Sequence, residues 1–285
     1  MKQPVRRRLA LDGAHAEVTL SYLEWGEPDA TQVVVCVHGL TRNAHDFDTL
    51  AAELAGAGAR VLAVDVAGRG HSSWLADPSH YELETYARHL DRFLARLGLS
   101  RVDWVGTSMG GLIGMALAAT AAPKIRRLIL NDVGPFVPKD ALALIKAYLE
   151  LRPTFADFAA LEAHLRTIHA PFGKLSDAQW RALARSSARQ DPDAWRLRYD
   201  PAISEAYGDL AADDVDLSDL WERIRVPTFV LRGAESPLLT EAVAARMATT
   251  GPKAVVETVP HVGHAPALMD PQQIAILRRW LELGG

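Results

Sequence analysis

Apolar and polar residues alternate over Val18–Trp25, which predicts a strand with one buried face and one wet face. Val33–Val37 is continuously apolar and mostly β-branched, which predicts a strand covered on both faces. Residues 60–66 repeat that pattern, with Val61, Ala63 and Asp65 on one face. Apolar runs at 102–105, 125–130, 227–231 and 254–259 predict four more strands. Between these runs the period lengthens. Residues 83–97 have helical spacing and stop at Gly98, a C-terminal capping residue. Residues 108–122 read as an apolar helix closed by Pro123, and 242–247 and 272–283 read as two more helices. Strands alternating with helices imply right-handed crossovers and an α/β fold built on a mostly parallel, doubly wound sheet. Residues 136–219 break the rhythm, being helical in pattern with no buried strand. Pro138, Pro153, Pro171, Pro192 and Pro201 keep those helices short. Strand signals resume afterwards, so this stretch is expected to be an inserted helical cap, with 1–135 and 220–285 as the core domain.

Composition narrows the class of function. The chain has 285 residues, 49% of them hydrophobic, enough to build a core. A formal net charge of −4 gives no electrostatic footprint for nucleic acid. The single cysteine, Cys36, excludes an intrachain disulfide and a thiolate zinc cluster. No apolar run reaches the roughly 18 residues of a spanning helix, and no apolar signal segment opens the chain. The expected location is therefore cytoplasmic, with no stable membrane association. Arg6, Arg7 and Arg8 read as a solvated edge or ragged end, with contact to anionic lipid or nucleic acid as the other reading. Composition says nothing of oligomeric state.

The chemistry sits at strand ends. Gly106-Thr107-Ser108-Met109-Gly110 is a G-x-S-x-G pattern between a predicted strand and a predicted helix. Small residues at Gly106 and Gly110 let such a turn close, and the helix that follows aims its first N–H groups at the serine. Ser108 is the candidate nucleophile. His38-Gly39-Leu40 follows Val33–Val37, and the amides of Leu40 and Met109 are the candidate donors for an oxyanion. His38 itself reads as a brace for that loop. A serine hydroxyl needs a base. His261 and His264 both follow the strand at 254–259, and His264, at a loop tip after Gly263, is the preferred one.

With these residues in view, the chain resembles the α/β-hydrolase-fold enzymes that carry a helical cap. The carrying residues are His38-Gly39-Leu40, the loop from Asp65 to Ser72, Gly106-Thr107-Ser108-Met109-Gly110-Gly111, and Gly263-His264. The resemblance runs from about residue 18 to 283, and the cap is the poorly matched part. It implies about eight strands, Ser108 and His264 in the roles just given, and no cofactor or metal. It speaks against dehalogenase or epoxide hydrolase chemistry, where the nucleophile is usually an aspartate. Asp65 reads as a turn-shaping residue.

The third triad member stays open. Relatives commonly carry an Asp in the loop after the strand at 227–231, but here that loop reads Arg232-Gly233-Ala234-Glu235-Ser236-Pro237. Asp132, after the strand at 125–130, is the preferred acid, Glu235 the alternative, and no functional acid the third reading. Asp132 also has a structural reading, a pairing with Arg42. Arg42 is a candidate contact for a carboxylate-bearing substrate, or else part of a structural ion pair. Phe136, Tyr148, Phe155, Phe158, Phe172, Trp180, Trp195, Tyr199 and Tyr207 supply aromatic surface in the cap. The expected activity is hydrolysis of a small-molecule carboxylic ester, lactone or thioester through an acyl-enzyme. The alternatives are a serine-dependent C–C bond hydrolase of a diketone-type metabolite, and a non-catalytic small-molecule binder on the same scaffold.

Overall fold

The computed structural model describes residues 3–11, 18–206 and 213–283. Eight strands form one sheet: β1 (Val5–Leu11), β2 (Val18–Trp25), β3 (Val33–Val37), β4 (Arg60–Val64), β5 (Val102–Thr107), β6 (Ile125–Asn131), β7 (Thr228–Gly233) and β8 (Val255–Val259). Their order is β1-β2-β4-β3-β5-β6-β7-β8. β2 is antiparallel to β1 and β4, and the other neighbours are parallel.

Alternation along a fully buried strand divides the core into two layers. In β3, Val34 and Cys36 face one side, with Leu50 and Leu54 of helix α1 (Asp48–Gly56) and Leu277 of the helix Pro271–Trp280. Val35 and Val37 face the other, with Phe93 and Leu94 of α2 (Leu83–Arg96) and Ile113 of α3 (Met109–Ala118). Gly98, just past α2, takes a positive φ of 67°, as a helix-ending glycine should. α3 is shorter at both ends than its apolar run. Ser108 has φ of 51° and cannot belong to a helix. At the other end Pro123 disfavours helical backbone at Ala122, and the Thr120 hydroxyl takes the Leu117 carbonyl.

The basic run near the start is an edge strand. Arg7 Nε donates to Glu24 at 2.8 Å, and Arg6 Nη1 reaches Ser21 and the buried Asp65. Charge on an edge strand discourages further strand pairing.

Residues 136–219 leave and rejoin the core at one place, because Phe136–Val137 pairs antiparallel with Val215–Asp216. Between them lie α4 (Lys139–Glu150), α5 (Phe158–Ile168) and α6 (Asp177–Ser187), the last opened by a Ser176/Gln179 capping box. The stretch also holds a small sheet of Thr154–Phe155, Ala188–Gln190 and Trp195–Leu197, which a helical pattern does not predict. Each of these strands buries a single residue, Phe155, Ala188 and Leu197, so none shows a period. Tyr207 lies outside the described residues.

The segment lies against loops at the carboxyl ends of the core strands. Asn43 Nδ2 donates to the Ser186 carbonyl at 3.2 Å. The Gly70 amide donates to Arg198, the Asp200 amide to Gly68, and the Gly263 amide to Pro171, at 2.8–3.0 Å. Tyr81 Oη donates to Asp200 at 2.6 Å.

Candidate active site

β5 delivers Ser108 at its carboxyl end, where the backbone reverses into α3 through φ 51° and ψ −116°. Such a conformation is strained for a residue with a Cβ. It is held because the strand and helix pack too closely to relax. A Cβ at Gly106 would sit 2.3 Å from the Gly110 carbonyl oxygen, and one at Gly110 would sit 2.0 Å from that of Val37. Only glycine permits this approach. The Ser108 amide donates to the Asn131 carbonyl at 3.0 Å, which ties the turn to the end of β6.

Three predicted residues meet here. His264 Nε2 stands 3.0 Å from Ser108 Oγ, and His264 Nδ1 stands 2.7 Å from Asp132 Oδ2. An ionised carboxylate can only accept, so Nδ1 carries the proton and Nε2 is left to accept from the serine hydroxyl. Asp132 is fully buried, and its other oxygen accepts the Gly233 amide at 2.8 Å. This splits the carboxylate between a fixed backbone donor and the imidazole.

Glu235 is not part of this line. Its side chain is 67% exposed and lies 3.9 Å from the exposed His261. The loop that lacks an aspartate is organised by Ser236, whose hydroxyl accepts the Leu238 and Leu239 amides. Arg42 does not pair with Asp132. Its guanidinium binds Asp46 through two nitrogens, at 2.6 and 3.0 Å, and donates to Ser187 Oγ at 2.8 Å.

The Leu40 loop is set by its neighbours. His38 is buried, with Nδ1 2.7 Å from the Gly39 carbonyl and Nε2 accepting the Val66 amide at 3.0 Å. Burial pushes its pKa down to about 3, so the imidazole is neutral. Arg69 Nε donates to the Leu40 carbonyl at 2.8 Å. A Cβ at Gly39 would lie 3.6 Å from Ser108 Cβ, which puts the loop beside the serine. Met109 opens α3, where the first N–H groups of a helix have no intrahelical acceptor. Asp65 accepts the Ala44 and His71 amides at 2.8 and 2.9 Å and so joins two loops.

Asn131 escapes the sequence reading. Its Nδ2 donates to Thr107 Oγ1 at 3.0 Å and to the Pro266 carbonyl at 2.9 Å, linking the serine turn to the loop that carries His264. Its only signal in the sequence is a polar residue ending a buried strand, one place before Asp132.

Known proteins match this architecture. A model of the alpha/beta hydrolase fold matches residues 32–271. The chain is 43% identical over 266 residues to the 3-hydroxybutyrate-oligomer hydrolase of Cupriavidus necator, covering 90% of each chain. It is 32% identical over 237 residues to an esterase of Mycobacterium tuberculosis, covering 80% of this chain and 74% of that one. A solved structure of a hydrolase from Rickettsia typhi superposes with a TM-score of 0.92 at 31% identity, covering 99% of this chain and all of that one. Among the described residues no helix is long and apolar enough to cross a membrane. The sheet order, the glycine-bound serine turn and these similarities together place the chain in the alpha/beta hydrolase family, among hydrolytic enzymes.

Proposed function

We propose that the chain is a serine hydrolase that cleaves carboxylic esters through an acyl-enzyme, with short esters of hydroxy acids as its substrate class. The observation that carries this reading is the hydrogen-bonded line Asp132–His264–Ser108 at a strained strand-to-helix turn. The similarity to a 3-hydroxybutyrate-oligomer hydrolase over nine-tenths of both chains supports the substrate class.

In this reading His264 Nε2 takes the Ser108 proton as the oxygen attacks the ester carbonyl. The amides of Leu40 and Met109 hold the oxyanion, and the positive end of α3 favours the developing charge. His264 then returns the proton to the leaving alcohol, and water deacylates the serine by the same route. Buried Asp132 holds the imidazole in one tautomer and stabilises the imidazolium. The segment 136–219 serves as a cap on a core of residues 1–135 and 220–285, and covers the strand ends where these groups meet. The buried Asp132, within hydrogen-bond reach of His264, supports the catalytic reading over a non-catalytic binder, whose one favouring feature is the absence of an aspartate after β7.

Fluorophosphonate labelling with peptide mass mapping tests the proposal, beside turnover of p-nitrophenyl butyrate. The expected label falls on Ser108, and Ser108→Ala loses both the label and turnover, on the order of 10⁴-fold or more. Equal labelling of the folded Ser108→Ala protein would remove Ser108 as nucleophile.

A further inference from the structure

Seven buried side-chain polar atoms among the described residues have no hydrogen-bond partner. Four of them lie in the segment over the strand ends: Tyr148 Oη, Tyr199 Oη, His164 Nε2 and His169 Nε2. Tyr148 of α4 stacks on His164 of α5, with ring planes 15° apart. The hydroxyls of Tyr148 and Tyr199 approach each other and Thr41 without a well-formed hydrogen bond. Tyr199 is 5% exposed and is held by a backbone bridge to Arg69, the residue that also fixes the Leu40 carbonyl. His169 stacks on Phe172 at 4.4 Å and lies in the field of Arg42 and His264. The cluster thus spans from Thr41, next to Leu40, to the neighbourhood of His264.

Buried polar atoms are almost always paired in folded proteins, because an unpaired one forfeits its hydration without return. Three of these unpaired groups, Tyr148, Tyr199 and His169, with the Thr41 hydroxyl one place after Leu40, make an arrangement of groups kept for a ligand. We propose that Tyr148, Tyr199, His169 and Thr41 form a subsite for an uncharged oxygen group, a hydroxyl or an ester carbonyl, on the substrate chain next to the scissile ester. This rests on the ester-hydrolase reading above and adds the element that distinguishes a 3-hydroxyacyl chain from a plain acyl chain.

The chemistry selects a neutral group. Burial holds the His169 imidazole below the usual histidine range and both phenols above the usual tyrosine range, and Thr41 carries no charge, so all four are uncharged near neutral pH. Of the arginines that act on them, Arg42 is already bound by Asp46, and Arg152, near Tyr199, reaches Ser204 and Glu205. A phenol can donate or accept, and a neutral imidazole can do either at Nε2, so a hydroxyl or a carbonyl oxygen finds a partner. A carboxylate would lack a free counter-charge.

The test compares kcat/KM for the p-nitrophenyl esters of butyrate, 3-hydroxybutyrate, 3-acetoxybutyrate and succinate, the last presenting a free carboxylate. The wild type is expected to favour the hydroxy or acetoxy ester over butyrate by about tenfold, the worth of one neutral hydrogen bond. Which of the two wins tells a hydroxyl from an ester carbonyl as the group bound. Tyr148→Phe and Tyr199→Phe are each expected to bring that ratio close to one. The ratio is taken within each variant, so loss of folded protein lowers all arms alike and leaves the ratio readable; His169→Gln is the third variant if one tyrosine change does not fold. Equal wild-type rates on all esters, a preference for the succinate ester, or a ratio that survives in every variant overturns the subsite. Folded wild type that turns over none of these esters overturns the ester-hydrolase reading, and the subsite with it, which is a different result from turnover without preference.

Discussion

Asp132 binds Gly233 across the gap between two strands. Its Oδ1 accepts the Gly233 amide at 2.8 Å while its Oδ2 faces His264 Nδ1 at 2.7 Å. β6 and β7 run parallel with Asn131 level with Leu231, so the residue after β6 reaches the last amide of β7 directly. An acid carried at the end of β6 can therefore orient a histidine that arrives from the loop after β8. The carboxylate is also rigid, since one oxygen is fixed by the main chain.

That geometry predicts an asymmetric result at the two acids. In Asp132→Asn the amide oxygen can still take the Gly233 N–H, which leaves the NH₂ group facing His264 Nδ1. The imidazole must then carry its proton on Nε2, the wrong nitrogen for accepting from Ser108. kcat for p-nitrophenyl butyrate is expected to fall by about 10⁴-fold, with the fold kept. Glu235→Gln, at an exposed side chain, is expected to change kcat by less than about twofold. Steady-state kinetics on the two variants decides. A small loss at Asp132 and a large one at Glu235 would reverse the assignment.

Arg42 is expected to act through structure. Its guanidinium joins Asp46 to Ser187, and so holds the loop after Leu40 against the end of α6. Arg42→Ala leaves the Asp46 carboxylate without its partner and the Ser187 contact broken. The expected result is a lower melting temperature, corresponding to about 1–3 kcal/mol, and similar fractional losses on neutral and anionic esters. A loss confined to anionic esters would instead make Arg42 a substrate contact.

Legibility followed the physical origin of each feature. β3 to β7 are legible because strands covered on both faces carry apolar runs, and β8, a half-exposed edge strand, is legible from its β-branched residues. Ser108 is legible because a close strand–helix approach admits only glycine at two fixed places, Gly106 and Gly110. The acid is not settled by pattern, because Asp132 and Glu235 both follow buried strands about 5 Å apart. What separates them is register and one backbone amide, and neither leaves a mark in composition or spacing. Strands of two or three residues with one buried side chain are invisible for the same reason. Thr41, Tyr148, His169 and Tyr199 come from the loop after Leu40, from α4, from the end of α5 and from the chain after Leu197, so no local pattern marks them.

The serine turn depends on its glycines sterically. Gly110→Ala would drive a methyl to 2.0 Å from the Val37 carbonyl oxygen, a backbone atom that cannot swing aside. A loss of about 3 kcal/mol or more is expected, or no soluble protein. Gly56→Ala is the contrast. A methyl there meets nothing within 4 Å, and the residue closes α1. That change is expected to stabilise by about 0.5–1 kcal/mol by restricting the unfolded chain. Urea denaturation of both variants checks the pair, and similar effects at the two sites would contradict the steric account.

His38 predicts a pH dependence of stability. In the folded protein burial lowers its pKa from the ordinary 6.5 to about 3, and the ring stays neutral between the Gly39 carbonyl and the Val66 amide. On unfolding it regains the ordinary value. Between about pH 6.5 and pH 3 the unfolded chain thus binds one more proton at this residue than the folded chain, and stability falls as pH drops through that window. Above pH 6.5 the group is neutral in both states and adds no slope. His71 and His89, each lowered to about 4 mainly by burial, push in the same direction. The His38 contribution is separable by subtraction. His38→Gln keeps a donor and an acceptor but cannot titrate, so its urea-derived stability should fall less steeply from pH 6.5 to pH 4.5. The difference in slope is expected to approach about 1.4 kcal/mol per pH unit for the one proton removed. The variant should be less stable than the wild type at pH 7.5, because Gln cannot span the same two loop contacts as a rigid ring, and the gap should narrow on acidification. Parallel stability curves for the two proteins would mean that His38 is already protonated in the fold, and that the Val66 amide is not its partner.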